Sequence, residues 1–306
     1  MSLLKGWDEI VTGVNPGGSV SLDSMVAGLP VQEVRQIVAR ALAEDLGSGD
    51  VTTRLTVPES KKAHGTFFSK QPLVVAGLPV AAEVFRALQP DYGWDAMTSD
   101  GASVPAGQAL ARVEGKAATL LSGERVALNF LQRLCGIATL TREFKNQLAG
   151  RKAELLDTRK TTPGLRLLEK YAVRMGGGSN HRMRLDDAIL IKNNHIAMAG
   201  GIRAAIEGVL KQRPSGMTVE VEVRTREELD EAIACGADIA LLDNMTPGEV
   251  AECVRFAQGR IVLEVSGGVG LENVRAYAET GVERISVGAL THSAAAADIN
   301  FLIESL

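Results

Sequence analysis

Cysteine is scarce in this chain of 306 residues, and the three present, Cys135, Cys235 and Cys253, are odd in number, widely spaced and form no C-x-x-C pair. That excludes a disulfide framework and a zinc-finger ligand spacing, and it points to a reducing compartment, so a cytoplasmic location is expected. Long apolar runs are missing too. The longest, residues 72–82, falls well short of the roughly 20 residues needed to cross a bilayer and is broken by Gly77 and Pro79. Asp8 and Glu9 interrupt the stretch that an export signal keeps apolar, and no A-x-A pattern follows, so no export is expected. Positive charge is not in excess either. With 33 Lys plus Arg against 37 Asp plus Glu, the net charge is -4, and the whole-molecule field has no attraction for nucleic acid or an anionic membrane. Any anion site must be local.

What remains is an ordinary folding composition, 45% hydrophobic and 23% charged. At about 150 residues per domain the length suits two domains. Residues 1–22 read as a loose arm. Residues 23–135 read as an α+β domain with an antiparallel sheet, joined by the C-terminal segment 291–306, and residues 136–290 as an α/β barrel. In the first domain, apolar residues at three-to-four spacing from Val31 predict a helix ended by Gly47, β-prone runs alternate with turns between residues 51 and 113, and residues 80–88 read as a helix. Residues 120–148 carry a helical stripe, expected to enter through a Ser122 cap and to break into two helices at Gly136. Six strand candidates then alternate with helices: ELLDT, AILIK, TVEVEV, DIALLD, IVLEV and RISVG. This alternation means βα units and a parallel sheet. No G-x-G-x-x-G opens its first helix, which favours a closed barrel of six to seven strands over an open dinucleotide-binding sheet.

Barrel chemistry is carried by the carboxyl ends of the strands. Here those ends read Asp157-Thr158-Arg159-Lys160, Lys192-Asn193-Asn194-His195, Glu222, Asp243-Asn244, Ser266-Gly267-Gly268 and Gly288-Ala289. Between the first two strands, Gly176, Gly177 and Gly178 precede His181 and Arg182. Singly, each cation reads as a solvated surface residue. Together, Arg159, Lys160, His181, Arg182 and Lys192 form a cationic cup suited to carboxylates or phosphates. Ser266–Gly268 and Gly288 sit where late barrel loops bind phosphate, although a tight turn uses the same glycines. Glu220 and Glu222 share one strand face. Ion pairing to Lys192 is the structural reading for either glutamate and the favoured one for the deeper Glu220, while Glu222 and Asp243 at the rim suit sugar hydroxyls or Mg²⁺. Lys192 also has the setting of a Schiff-base lysine, so an aldolase stays open, as does a non-catalytic anion-binding scaffold.

The blocks EDLGSGDVTT, ERVALNFLQRLCGIAT, DTRKTTPGLR, GGGSNHRMRLDDAILIKNNH, VEVEV, LLDN and EVSGG, in this order from residue 44 onward, resemble those of the quinolinate phosphoribosyltransferase family. Arg184 departs from the small residue the family often has there. The resemblance implies a homodimer with shared active sites. It implies transfer of a phosphoribosyl group from 5-phosphoribosyl-1-pyrophosphate to quinolinate with decarboxylation, giving nicotinate mononucleotide, pyrophosphate and carbon dioxide, with Mg²⁺. It further implies Arg125 from the partner, Arg159, His181, Arg182 and Lys192 as quinolinate ligands and Lys160, beside Thr158, on pyrophosphate. Ser266, Gly267, Gly268 and Gly288 would take the 5-phosphate, and Glu222 and Asp243 the ribose or Mg²⁺. Nicotinate phosphoribosyltransferase and a molybdenum-associated paralogue are the related alternatives.

Overall fold

The computed structural model describes residues 28–306, so the expected arm at residues 1–22 lies outside the described residues. The chain divides into two compact units, one ending at residue 138 and completed by 295–306, the other spanning 139–294. The first begins with α1 (Val31–Leu46), which buries Val34, Ile37, Val38 and Leu42 along one stripe and stops at Gly47, φ 53°. Helix α2 (Val51–Thr56) is capped by Asp50, whose carboxylate accepts the Thr53 N–H at 3.0 Å. Strands β1 (Lys62–Ser69) and β2 (Leu73–Val74), helix α3 (Leu78–Leu88) and strands β3 (Gly93–Ala96), β4 (Ser103–Val104) and β5 (Ala109–Lys116) follow. Then comes the 31-residue helix α4 (Ala117–Gln147).

Two expectations about α4 fail. The helix is unbroken at Gly136, because the missing side chain there serves packing: a Cβ would collide with the carbonyl oxygen of Ala295. Ser122 does not cap it either, since α4 starts five residues earlier and the Ser122 hydroxyl instead donates to Asp50 at 3.2 Å.

The second unit alternates strand and helix: β6 (Glu154–Leu156), α5 (Arg166–Gly176), β7 (Ile189–Ile191), α6 (Asn193–Ala199), α7 (Ile202–Leu210), β8 (Val219–Val223), α8 (Arg226–Cys235), β9 (Ile239–Asp243), α9 (Pro247–Ala257), β10 (Val262–Ser266), α10 (Val274–Glu279), β11 (Arg284–Ser286) and α11 (Ala289–His292). All six expected strands form one sheet, ordered β6-β11-β10-β9-β8-β7, with every pairing parallel. A single bridge from Leu156 to Ser179 extends it beyond β6. Among the described residues no ladder joins β7 to β6, so the sheet is open on that side. It nevertheless curls, because His181, just past the Ser179 bridge, reaches side chains of β8 and β10.

Alternation gives this sheet two unlike faces. Leu155, Val219, Val221, Ala240, Leu242, Leu263, Val265 and Ile285 are buried on one, the face that carries the helices. The registers put Glu220, Glu222, Asp243, Glu264, Ser266, Arg284 and Ser286 on the other. The charged residues therefore face the barrel interior.

After α11 the chain returns to the first unit as β12 (Ile299–Ser305), antiparallel to β1, in a four-stranded sheet ordered β12-β1-β5-β3. Phe301 packs at a tilt against Phe67 with ring centroids 4.4 Å apart, and Phe85 packs against both. No described helix is long and apolar enough to cross a membrane.

Gly136→Ala tests the packing reading by its sign. Helix propensity alone would stabilise the protein by about 1 kcal/mol, whereas overpacking against the Ala295 backbone destabilises by about 1–3 kcal/mol. We expect a lower melting temperature; a higher one would show that this glycine has no packing role.

Candidate active site

The site is built outward from β6. Asp157, the first residue beyond that strand, is wholly buried and sits 2.6 Å from the equally buried ammonium of Lys170 on α5. Each hydrogen of that ammonium has an acceptor: Asp157, the His181 carbonyl at 2.7 Å and the Arg182 carbonyl at 3.1 Å. The Asp157 carboxylate in turn accepts from the Asn180 side chain at 2.6 Å and the His181 N–H at 2.9 Å. Burial pushes the Asp157 carboxyl up and the Lys170 ammonium down, and the charge of each opposes the shift of the other. With five polar contacts made between and around them, the pair is held ionised. Its effect is to fix residues 180–182, a stretch with no secondary structure of its own, in one conformation.

Beyond this pair lies a group of cations. Arg159 is half-buried, and its Nε is buried with no hydrogen-bond partner among the described residues. Arg182 donates from Nη1 to the Ala188 carbonyl at 2.9 Å. Its pKa is lowered by burial first and then by the charge of Arg159. Two guanidiniums that feel each other's charge, one with an unused buried donor, suit an anion. Lys160 is exposed, with its N–H on the Thr158 hydroxyl at 3.0 Å and its carbonyl held by Thr291 at 2.8 Å. Its stem crosses Gly288 so closely that a Cβ there would come within 2.9 Å of Lys160 Cδ. Gly288 is therefore glycine to let that lysine pass.

Across the barrel mouth, Lys192 leads α6 with its side chain half exposed and its ammonium 2.9 Å from Glu222. Asn193 bridges the two rim carboxylates, giving its N–H to Glu222 at 2.9 Å and its side-chain amide to Asp243 at 3.3 Å. Of the two glutamates expected to pair with Lys192, Glu222 does so, whereas Glu220 pairs with His181, at 3.0 Å. Glu220 lies one pleat deeper, below the reach of a rim lysine. This arrangement also removes the aldolase, since a Schiff-base lysine needs an apolar, desolvated setting. Lys192 is half in solvent beside a carboxylate, and the one buried lysine described at this site, Lys170, has every hydrogen bonded.

At the end of β10, Gly267 (φ 94°) and Gly268 (φ 64°) turn the chain sharply after Ser266, and Gly267 packs against Asn244 so tightly that a side chain would not fit. Gly288 precedes the short α11 at the end of β11. The barrel thus gathers Thr158, Arg159, Lys160, His181, Arg182, Lys192, Glu222, Asp243, Ser266, Gly267, Gly268 and Gly288 at strand ends and adjoining loops. Arg125 belongs to the first unit, exposed on α4. Sequence reasoning missed Lys170, Asn180 and Glu264. Glu264 was within reach, because it interrupts the apolar strand IVLEV just as Glu220 and Glu222 interrupt theirs.

The C-terminal-domain family model of quinolinate phosphoribosyl transferase matches residues 137–302, and the N-terminal-domain model matches residues 50–135. A probable nicotinate-nucleotide pyrophosphorylase [carboxylating] of Bacillus subtilis is 42% identical over 268 residues, 88% of this chain and 92% of the relative. A chloroplastic nicotinate-nucleotide pyrophosphorylase [carboxylating] of Arabidopsis thaliana is 41% identical over 307 residues, 94% of this chain and 88% of the relative. The crystal structure of NadC from Streptococcus pyogenes superposes with a TM-score of 0.87 at 37% identity, covering 91% of this chain and 99% of that one. Matched by both domain models and by relatives along most of its length, the chain belongs to the quinolinate phosphoribosyltransferase family.

Proposed function

We propose that this protein transfers the phosphoribosyl group of 5-phosphoribosyl-1-pyrophosphate to quinolinate and releases carbon dioxide, forming nicotinate mononucleotide and pyrophosphate. The observation that carries the reading is the buried, unused Nε donor of Arg159, with Arg182 as a second guanidinium that feels its charge. They suit a planar ring bearing two adjacent carboxylates, with Lys192 as a further cation at the mouth. Lys160, free in solvent above Gly288, takes pyrophosphate oxygens, helped by the Thr158 turn. The Ser266-Gly267-Gly268 turn and Gly288 receive the 5-phosphate. Each anionic group of the two substrates then meets a cation or a glycine-lined backbone.

In the first step the ring nitrogen bonds to the anomeric carbon as the bond to pyrophosphate breaks, the leaving group keeping the electron pair. Positive charge develops on the ribose, and Glu222 and Asp243 on the inner face of the sheet oppose it electrostatically. In the second step the bond to the 2-carboxylate breaks, its electrons remain on the ring carbon beside the cationic nitrogen, and a proton from water replaces the carbon dioxide lost. No residue need act as a base. Asn193 brings Glu222 and Asp243 together, and two convergent carboxylates fit Mg²⁺, which takes one or two such oxygens together with substrate phosphates. Bound there, the ion would offset pyrophosphate charge. We place the enzyme in the cytoplasm as a homodimer in which Arg125 completes the partner's site.

Purified protein with quinolinate, phosphoribosyl pyrophosphate and Mg²⁺ should yield nicotinate mononucleotide and carbon dioxide in equal amounts. Nicotinate, lacking one carboxylate, leaves a buried cation unpaired at a penalty of about 1–3 kcal/mol, so its kcat/KM should be about 10- to 100-fold lower. Equal efficiency on both acids without ATP would overturn the assignment.

Lys192→Ala should abolish most turnover while shifting stability by less than about 1 kcal/mol, because Lys192 is half exposed and Glu222 keeps the Asn193 N–H. A large drop in melting temperature in the unliganded variant would instead make this lysine structural.

Mixing Arg125→Ala with Lys192→Ala should restore activity, since a heterodimer then holds one site with both defects and one with neither. An inactive Arg125→Ala that is never rescued after verified subunit exchange would place Arg125 in its own chain's site.

A further inference from the structure

The block DTRKTTPGLR ends in Arg166, a residue to which the proposed reaction gives no task. Arg166 opens α5, half-buried, and its guanidinium reaches back to both loops that carry the anion-binding cations. Its Nε donates to the Thr161 hydroxyl at 2.9 Å, and Nη1 donates to the carbonyl of Met183, the residue after Arg182, at 3.0 Å. Nη2 makes a longer contact, 3.5 Å, to the carbonyl of Arg159 itself. One rigid group thus touches the backbone of Arg159 and that of the residue next to Arg182.

Arg166 is also the first of a stripe. Arg166, Lys170 and Arg174 are spaced four residues apart on α5 and so share one face. Their contacts follow the facing segment in reverse order: Arg174 donates to the Asn180 side chain at 2.7 Å, Lys170 to the carbonyls of His181 and Arg182, and Arg166 to that of Met183. Residues 180–183 form no helix or strand, so the helix supplies partners that a neighbouring strand would otherwise give. The loop of residues 158–162 has no regular structure either. Glu169, on the same helix, accepts the Thr162 N–H at 3.0 Å and its hydroxyl at 2.7 Å. Lys170 ties residues 181 and 182 to the end of β6 through Asp157. Arg166 adds a second tie, at the level of Arg159.

The tie meets a physical need. Arg182 feels the charge of Arg159, so the loops that carry them are pushed apart unless something opposes it. Two adjacent carboxylates on a planar ring lie at one fixed separation, and the cations that meet them must be held at a matching distance. We propose that Arg166 is a positioning residue that sets the distance between the Arg159 and Arg182 loops, and thereby selects a ligand whose two carboxylates are adjacent. The identity of that ligand rests on the function proposed above. Arginine suits the task because its planar fork holds the donors at fixed angles, whereas a lysine ammonium is a point charge on a flexible stem. Arg166 acts on the ligand through two stretches of backbone and does not touch it.

The test is calorimetric binding of two non-reacting acids to the whole unliganded protein: benzene-1,2-dicarboxylate, whose carboxylates are adjacent, and benzene-1,3-dicarboxylate, whose carboxylates are separated. The parent should favour the first. Arg166→Met should weaken the 1,2-acid about tenfold or more and the 1,3-acid by less than about threefold, so that the preference collapses. Arg166→Lys, which keeps the charge without the fork, should behave like Arg166→Met. Thr161→Val removes the acceptor of Nε and keeps the side-chain shape; it should lower the preference by about threefold, and it carries the test if Arg166→Met does not fold. In steady-state kinetics Arg166→Met should raise KM for quinolinate about tenfold with kcat within about threefold, whereas partial unfolding would lower kcat and leave KM unchanged.

A parent that favours the 1,2-acid, together with an Arg166→Met that weakens both acids alike, full recovery in Arg166→Lys or an unchanged preference in Thr161→Val, would overturn this inference alone. A parent with no preference between the acids would overturn the reading of the site as a cup for adjacent carboxylates, and this inference with it.

Discussion

The buried pair of Lys170 and Asp157 is the constraint on which the site depends. A lysine with no exposed surface is tolerated only if its charge is matched and all its hydrogens are bonded. Here the match comes from three directions: the end of β6, the backbone of residues 181 and 182, and, through Asp157, the side chain of Asn180. Removing one partner from such a pair costs about 3–5 kcal/mol because the other is left charged and buried. That penalty gives an irregular loop the rigidity of a strand. Without it, Arg182 would ride on a segment with no ladder to hold it.

The two faces of the parallel sheet divide the remaining work. On the outer face, branched aliphatic residues meet the helices and supply apolar burial. The inner face does the opposite, lining the barrel interior with Glu220, Glu222, Asp243 and Glu264, of which Glu220 and Glu264 face His181 and Glu222 faces Lys192. Such a lining contributes little to stability, since burying charges offsets much of what pairing them returns. Its use is to meet a substrate pair that carries strong negative charge and passes through a positively charged state. The rim cations attract the first, and the carboxylates below oppose the second.

Much of this was legible in the sequence where period and chemistry coincide. The six strands announce themselves as short apolar runs at regular spacing, and each ends in the polar residue that reaches the rim, so Arg159, Lys192, Glu222 and Asp243 could be located by counting. What was lost is what depends on contacts between distant segments. Gly136 looks like a helix breaker until the Ala295 carbonyl is seen against it. Ser122 resembles a cap only because the five helical residues before it lack a distinctive start signal. Lys170 sits in LLEKYAVRMG, an ordinary amphipathic helix in which a lysine reads as a solvated face; nothing local shows that it points inward. The partner of Glu220 was misplaced for the same reason, since its depth depends on how the barrel curls.

The pairing of β12 with β1 makes the first unit discontinuous: its sheet combines residues near position 65 with residues near 300. Synthesis proceeds from the N-terminus, so when the barrel segment leaves the ribosome the aromatic cluster around Phe67 still lacks Phe301, and an edge of β1 stays open until β12 appears. The barrel can mature first as an insert, while the first unit waits for β12. Completion of this sheet thereby follows synthesis of the whole barrel segment, and a chain cut before β12 would carry an unfilled strand position that neighbouring chains could occupy.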